Sequence, residues 1–520
     1  MTVQENIQSL SHRKALLLMS VIPVLLALLV YSGSLDNGIL TNWDDQVNIT
    51  NNDKIQELSL ENLKRIFTER QIAHYSPLKL LSFAIVYAVS GNNPAGFHLL
   101  SLIIHLCNII LVLFFIYRLS ADYSSAFIAA ALFAVHPMST SSVAWISALS
   151  TLQVTFFYIL GLIIYLKYID KSRPAGHYII ILVVFIFALL SKSLAVTFPV
   201  SMILLDLYRS GTISLRSLID KVPFFLLSLV FGIIAIKLAS VQGSFNPVIE
   251  MRYSVTDRVL LFFYTLFFYL FKFVFPFGLS AVHYLPLKTG GSLPLVYYIA
   301  PVFVIAIAAT PFIFKKHRKR LLFGLIFLLI AIFPGLQLKP VGFVLVTERY
   351  TYLPYIGLYF IAAVFITDLI FGNTSVSVKI KPYIITGTVT FVLFFIVLAR
   401  QRTYVWKDGA TLFSDVIRRY PERGLGYAYR AYDYECHGKY GLALADYNEA
   451  IRLGYIAPNV YAKRAGIMYG FSPYKENVEK IDEMILAEPL SGKLYYNRGT
   501  LKANETFMDY YGAIYDFNKA

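Results

Sequence analysis

Apolar runs of roughly 15 to 22 residues recur through the first three quarters of this chain, parted by short loops that carry Lys and Arg. A single run of that length can be hidden in a soluble core, but a long series of them cannot. A bilayer accommodates them all, provided every backbone polar group is closed within a helix. The expected fold class is therefore all-α, beginning with a polytopic membrane helical bundle. Composition agrees, with 57% hydrophobic residues against 15% charged.

The first span is read over 14–34. Arg13 and Lys14 precede it and no small-residue cleavage site follows, so a retained anchor with a cytoplasmic N-terminus is expected. Residues 35–96 form the first external loop, with a helical patch at 58–67 and an apolar stretch at 77–89. The sequence Tyr75-Ser76-Pro77 starts that stretch as an interfacial helix. Spans then alternate at 97–117, 124–135, 151–168, 178–190, 194–208 and 223–239. The two between 178 and 208 are short and make a hairpin with Lys192 and Pro199 at its turn. The polar run 139–142 and Trp145 are read as a membrane-interface turn with an aromatic anchor. The strongest basic cluster, Lys315-Lys316-His317-Arg318-Lys319-Arg320, is placed in the cytoplasm, so span 295–314 runs inward. The aromatic stretch 260–275 is then re-entrant or lies along the interface. Spans at 321–336, 353–371 and 383–399 bring the total to about eleven. Everything after Arg400 is left on the face that carries Asp44 and Asp45.

A formal charge of +15 raises the question of nucleic acid. Seventeen basic and fifteen acidic residues lie from Arg400 onward, so almost all of the excess belongs to the membrane part, where it follows the positive-inside pattern. Nucleic-acid binding is excluded on that ground. The two cysteines, Cys107 and Cys436, imply no disulfide framework. The domain boundary falls at 399/400. Beyond it, small residues recur at a period of 34, at Ala431, Ala465 and Gly499. Ala443, Tyr447 and Ala450 complete the first unit, Ile481, Met484 and Pro489 the second, and Ala513, Phe517 and Ala520 the third after a two-residue insertion. Small residues let paired helices approach while the aromatic packs between them, as in a tetratricopeptide-repeat α-solenoid. Residues 400–520 are thus expected to be an extracytoplasmic array of about three repeats, the last incomplete, that binds a protein partner.

The external loops place several polar residues beside apolar spans: Asp44, Asp45, His74, His136, Lys192, His283, Glu348, Arg349 and Tyr350. Each has a plain reading. An isolated Asp-Asp pair is usually a solvated loop, Lys192 can snorkel, a lone His after a span is commonly an interface residue, and Glu348 and Arg349 can pair locally. Together they are a carboxylate pair and several cations on one membrane face. Cations there suit a phosphate leaving group, for which Arg is the best-shaped residue. The carboxylates suit deprotonation of an acceptor hydroxyl, or hold a divalent cation (magnesium or manganese). That combination describes glycosyl transfer from a lipid-phosphate sugar. No Gly-rich phosphate loop, zinc spacing or nucleophile elbow is seen.

The order Trp43-Asp44-Asp45, then His74-Tyr75-Ser76-Pro77-Leu78, then Asn93-Pro94-Ala95-Gly96-Phe97-His98 resembles the start of the transmembrane and tetratricopeptide-repeat O-mannosyltransferases. Phe133 to Pro137 (FAVHP), Leu190 to Ser193 (LSKS) and Thr347 to Pro354 (TERYTYLP) follow in the family's order. The resemblance implies the C-type glycosyltransferase fold, a polyprenyl-phosphate sugar donor and an acidic motif in the first external loop. It makes Asp44 or Asp45 the catalytic residue, and Arg349, with Lys192, the candidate for the donor phosphate. The chain departs from the family in its short repeat array and in residues 138–142, which leaves mannose and the acceptor open.

The expected function is an inverting membrane hexosyltransferase moving a sugar from a polyprenyl-phosphate donor to a hydroxyl, on protein Ser/Thr, at the extracytoplasmic face. Transfer to glycolipid or surface polysaccharide is the first alternative, and a non-enzymatic scaffold displaying repeats is the second. The short array and the lack of a targeting segment suit a bacterial inner-membrane enzyme.

Overall fold

The computed structural model describes the chain apart from residues 1–2, 70–74, 172, 242–252, 337–342, 373–374, 456, 470–480, 483–484, 487–488, 490–491 and 503–509. His74 and Met484 lie outside the described residues, as does the Ala465 side chain. The chain divides into two compact units, Met1–Ile39 with Asp44–Lys407, and Leu40–Trp43 with Asp408–Ala520.

Among the described residues of the first unit six helices are long and apolar enough to cross a membrane: His12–Asp36, Pro94–Ser120, Ile146–Asp170, Leu215–Leu238, Leu295–Ile313 and Lys379–Val405. A seventh forms if Tyr123–Val135 and Pro137–Val143, bent by 54°, are one span. Three shorter apolar helices, Pro77–Ser90, Ala175–Ser191 and Tyr355–Phe371, fill the bundle. The protein is a multi-pass membrane protein. Helix length and apolarity therefore do not by themselves reach the eleven spans expected from loop alternation, because several of those runs fold as helices of 13 to 17 residues.

The bend at His136 and Pro137 follows from proline, which disfavours helix at the residue before it. The polar run behind it is enclosed by protein. Ser139, Thr140, Ser141 and Ser142 are all buried, and Trp145 is 2% exposed. The hairpin between Ala175–Ser191 and Phe198–Ser210 turns at Lys192 as expected, with Pro199 in the first turn of the second helix. The aromatic stretch is one unbroken helix, Val255–Val274, opened by a Ser254–Asp257 capping box and so lacking the internal turn of a re-entrant loop. Its buried face repeats at Leu261, Thr265, Leu266, Phe268 and Tyr269. Two helices meet backbone to backbone where Gly324 of Arg318–Ile332 faces Gly357 of Tyr355–Phe371. A Cβ on Gly324 would stand 2.5 Å from the Gly357 carbonyl oxygen.

Two features of this unit position the site. The first loop opens with a helical turn at Asp44 and Asp45 that widens into a π-turn over Gln46–Thr50, closed by Asn51 N–H to the Gln46 carbonyl at 2.7 Å. Such widened turns are frequent at functional sites. A two-stranded antiparallel ribbon pairs His283 with Val346 and leads directly into the short turn Glu348–Thr351.

The second unit is built of helices Gly409–Arg419, Gly424–Cys436, Tyr440–Arg452, Pro458–Tyr469, Gly492–Lys502 and Tyr510–Lys519. Ala431, Ala443, Tyr447 and Ala450 share a buried core, and a Cβ on Gly499 would meet the Phe517 ring at 3.0 Å, so the small residues do admit neighbouring helices. A second marker has the same period of 34. Arg430, Arg464 and Arg498 each reach back sixteen residues, to Ser414, Asn448 and Asp482, and two of them also clasp a later carboxylate, Asp446 or Asp516. The tetrapeptide Leu40–Trp43 belongs to this unit. Asn42 donates to the Tyr429 carbonyl at 2.6 Å, and the Trp43 ring lies 5.4 Å from Phe413 and 5.3 Å from Tyr429.

Candidate active site

Successive residues on a helical turn point about 100° apart, so Asp44 and Asp45 diverge. Asp45 is 1% exposed, whereas Asp44 is exposed. The Asp45 Oδ1 accepts the Ser147 backbone N–H at 3.0 Å and also the Ser147 hydroxyl. The Asn48 amide ties the arrangement together, donating to the Asp44 carbonyl at 2.7 Å and to Ser147 Oγ at 3.1 Å. Its own Oδ1 accepts from the ammonium of Lys79 at 2.7 Å, and that ammonium feels both carboxylates. Lys79 is held at the start of the Pro77–Ser90 helix, which Gln153 clamps to the Ile146–Asp170 segment through Ser82 at 2.8 Å.

A second group of cations stands beside this one. Lys192 is half-buried at the hairpin turn, donates to Thr151 Oγ1 at 2.8 Å and lies 5.3 Å from the centre of the Tyr350 ring. The Arg349 guanidinium sits 4.8 Å from the Trp145 ring and 5.6 Å from Tyr350, and Trp145 in turn stacks on Trp406 at 5.5 Å. Tyr350 thus presents one aromatic ring to two cations. Among the described residues no carboxylate lies within ion-pair distance of either Lys192 or Arg349. Burial, and after it the charges of Arg349 and Lys79, push the Lys192 ammonium down to about 7. Partly desolvated cations of this kind suit an anionic group such as a phosphate.

Glu348 faces away from Arg349. Its Oε1 accepts the Ser280 backbone N–H at 2.6 Å and meets His283 Nε2 at 3.1 Å, both groups being buried. The local Glu348–Arg349 pair open to the sequence is replaced by a Glu348–His283 pair that fixes the turn. His136 is a packing residue here, with Nε2 donating to the Phe273 carbonyl at 3.0 Å and Nδ1 accepting from Met138 N–H at 3.2 Å. Asp45 thus contacts Ser147, Arg349 contacts Trp145 and Lys192 contacts Thr151, all within one short segment, while His136, His283 and Glu348 make their contacts elsewhere. Asn48, Lys79, Ser147 and Thr151 were not singled out by sequence. Lys79 alone carried a visible signal, a charge inside an apolar helix.

The geometry of the pair speaks against a shared divalent cation. Magnesium needs near-octahedral oxygen ligation, which two carboxylates serve together only if both turn to one point. Asp45 is already engaged by Ser147, an ammonium stands beside both carboxylates, and no group of three or more His, Cys, Asp or Glu could hold a metal among the described residues.

The Lys192 ammonium gives a testable pH dependence. Its value of about 7 lies below the ordinary lysine range near 10.4, so the free site gains charge only as pH falls through neutrality. Phosphate-ligand affinity is expected to weaken as pH rises through 7, in step with the loss of the Lys192 charge. Lys192→Met should flatten the slope through neutrality. Inhibition by polyprenyl phosphate measured across pH checks this, and an equal slope in the variant would discount Lys192.

No family model matches the chain. Among curated proteins, Protein O-mannosyl-transferase Tmtc1 of Drosophila melanogaster is 28% identical over 179 residues, covering 33% of this chain and 21% of that protein. Protein O-mannosyl-transferase TMTC3 of Mus musculus is 33% identical over 121 residues, covering 23% and 13%. Human Protein O-mannosyl-transferase TMTC4 is 30% identical over 172 residues, covering 29% and 23%. The chain thus matches less than a quarter of the length of each of these relatives. Among solved structures, the Archaeoglobus fulgidus oligosaccharyltransferase aligns at 13% identity and a TM-score of 0.43 over 75% of this chain and 56% of that one. The same organism's oligosaccharyltransferase AglB, with an inhibitory peptide and a dolichol-phosphate, gives 14% and 0.45 over the same shares.

Proposed function

We propose that the chain is an inverting, membrane-embedded glycosyltransferase on the C-type plan, moving a hexose from a polyprenyl-phosphate donor to a protein Ser or Thr hydroxyl. The observation that carries the reading is one exposed carboxylate beside one fixed carboxylate, with two half-buried cations nearby that have no carboxylate within ion-pair distance among the described residues. In this reading Asp44 takes the acceptor proton as the hydroxyl oxygen attacks the anomeric carbon from the face opposite the phosphate. The bond from that carbon to the phosphate oxygen breaks, and the released charge settles on Arg349 and Lys192. Asp45 acts through Ser147 to hold the loop. Mannose is the sugar named for the similar proteins and is the first donor to try.

The same reading keeps the eleven-span topology with the N-terminus in the cytoplasm. It places the Asp44 loop and the 400–520 repeats outside, in a bacterial inner membrane, with the repeats recruiting a protein. Membranes containing the full chain, given radiolabelled polyprenyl-phosphate hexoses, should transfer label to protein. Label confined to lipid or polysaccharide would move the acceptor class, and no label with any donor would leave a scaffold that displays repeats.

A further inference from the structure

Lys79 has no part in the chemistry just outlined, yet its placement is unusual. Its side chain is buried, and of its three N–H donors one reaches a hydrogen-bond acceptor among the described residues, the Asn48 amide oxygen. A buried ammonium served by one neutral acceptor needs an anion close by. The anions that act on its charge are the two carboxylates of the first loop, to which Asn48 links it in place of a direct ion pair among the described residues. Asn48 completes the geometry. The amide that accepts from Lys79 also donates to the Asp44 backbone and to Ser147, the residue that binds Asp45.

We propose that the Lys79 ammonium is the resident counter-ion of the first loop's carboxylates, a positioning residue tied to them through Asn48 and opposed to a divalent metal there. Two like charges on neighbouring residues repel, which raises the affinity of one of them for a proton. A fixed cation offsets that repulsion and holds the loop through Asn48 before the acceptor arrives. It also opposes a metal. Lys79, Lys192 and Arg349 already outnumber the two carboxylates, so a doubly charged ion would enter a site whose net charge is positive.

The test uses the full chain in detergent micelles, with free Mn2+ followed by electron paramagnetic resonance. Wild type is expected to show no saturable binding at millimolar Mn2+. Lys79→Asp, which removes the cation and adds a third carboxylate, should gain a saturable site that disappears when Asp44→Asn is added. Lys79→Gln is the second variant if the aspartate does not fold, with weaker binding of the same kind expected. Saturable binding by wild type that is abolished by Asp44→Asn would overturn the proposal, as would no gain in either folded variant.

An activity arm rests on the transferase reading. Transfer by wild type should be indifferent to EDTA, and Lys79→Met should lose about 10²-fold while Lys79→Arg stays within about 10-fold. Propylammonium should restore part of the activity of Lys79→Ala, which a merely structural lysine would not allow. Full activity in Lys79→Met overturns the proposal. Absence of transfer in wild type defeats the transferase reading instead, and the Mn2+ titration still decides this one.

Discussion

Asp44→Asn is expected to reduce sugar transfer by about 10²- to 10⁴-fold, the range that a positioned general base contributes. It should leave the thermal midpoint of the protein unchanged. The side chain is exposed and substitutions at such positions usually fall within about 0.5 kcal/mol of wild type. Asp45→Asn separates the two carboxylates. It retains a carbonyl oxygen facing Ser147 but loses the charge behind two hydrogen bonds, each worth about 1.5–3 kcal/mol when one partner is ionised. Its signature is a lower midpoint together with a smaller loss of transfer. Initial rates and melting curves on the same membranes check both. If Asp45→Asn is inactive at an unchanged midpoint while Asp44→Asn works, the roles are reversed. Full activity in both removes the carboxylates from the chemistry.

The carboxylate pair itself was legible because two charges so near a span exit are conspicuous. Its division of labour was not. The residue that fixes Asp45 is Ser147, 102 positions away, in a polar run that reads as an interface turn until it is seen to be buried. Lys192 was legible for the same reason as the pair, a lone charge at the turn of a hairpin. Lys79 was passed over because it sits in a stretch whose apolar character drew the reading to the membrane surface, while its partner Asn48 lies 31 residues back. Nearest neighbours in sequence misled at Glu348 and Arg349. A 3₁₀ turn sends successive side chains about 120° apart, so one enters the ribbon and the other faces the aromatic rings. In the second unit the small residues at a period of 34 were legible from packing logic. Arg430, Arg464 and Arg498 share that period and were equally visible, but their meaning depends on partners sixteen residues upstream. Span count is the weakest inference of this kind, since alternating loops treat a helix of 13 residues and one of 27 alike.

Arg349→Ala is expected to cost about 10²- to 10³-fold in transfer, the scale of removing one preorganised donor from a developing negative charge. The loss should fall on kcat as well as on the KM for the donor, because the phosphate gains charge as the sugar leaves. Arg349→Lys tests whether charge alone suffices. An ammonium keeps the charge but lacks the fork that meets two phosphate oxygens and the flat face that rests on Trp145, so less than a tenth of the activity should return. The Trp145 ring touches the guanidinium and is itself stacked on Trp406, which makes Trp145→Leu a loss that acts through Arg349. The two substitutions should therefore be non-additive, with Trp145→Leu costing far less in an Arg349→Ala background than in wild type. Additive losses would mean that Trp145 serves the fold or the acceptor independently. Lys192 titrates near neutrality, so the guanidinium should dominate donor binding in alkaline solution. The penalty of Arg349→Ala should accordingly grow as pH rises above 7, and a penalty that is flat with pH would remove Lys192 from the phosphate site while leaving Arg349 in it.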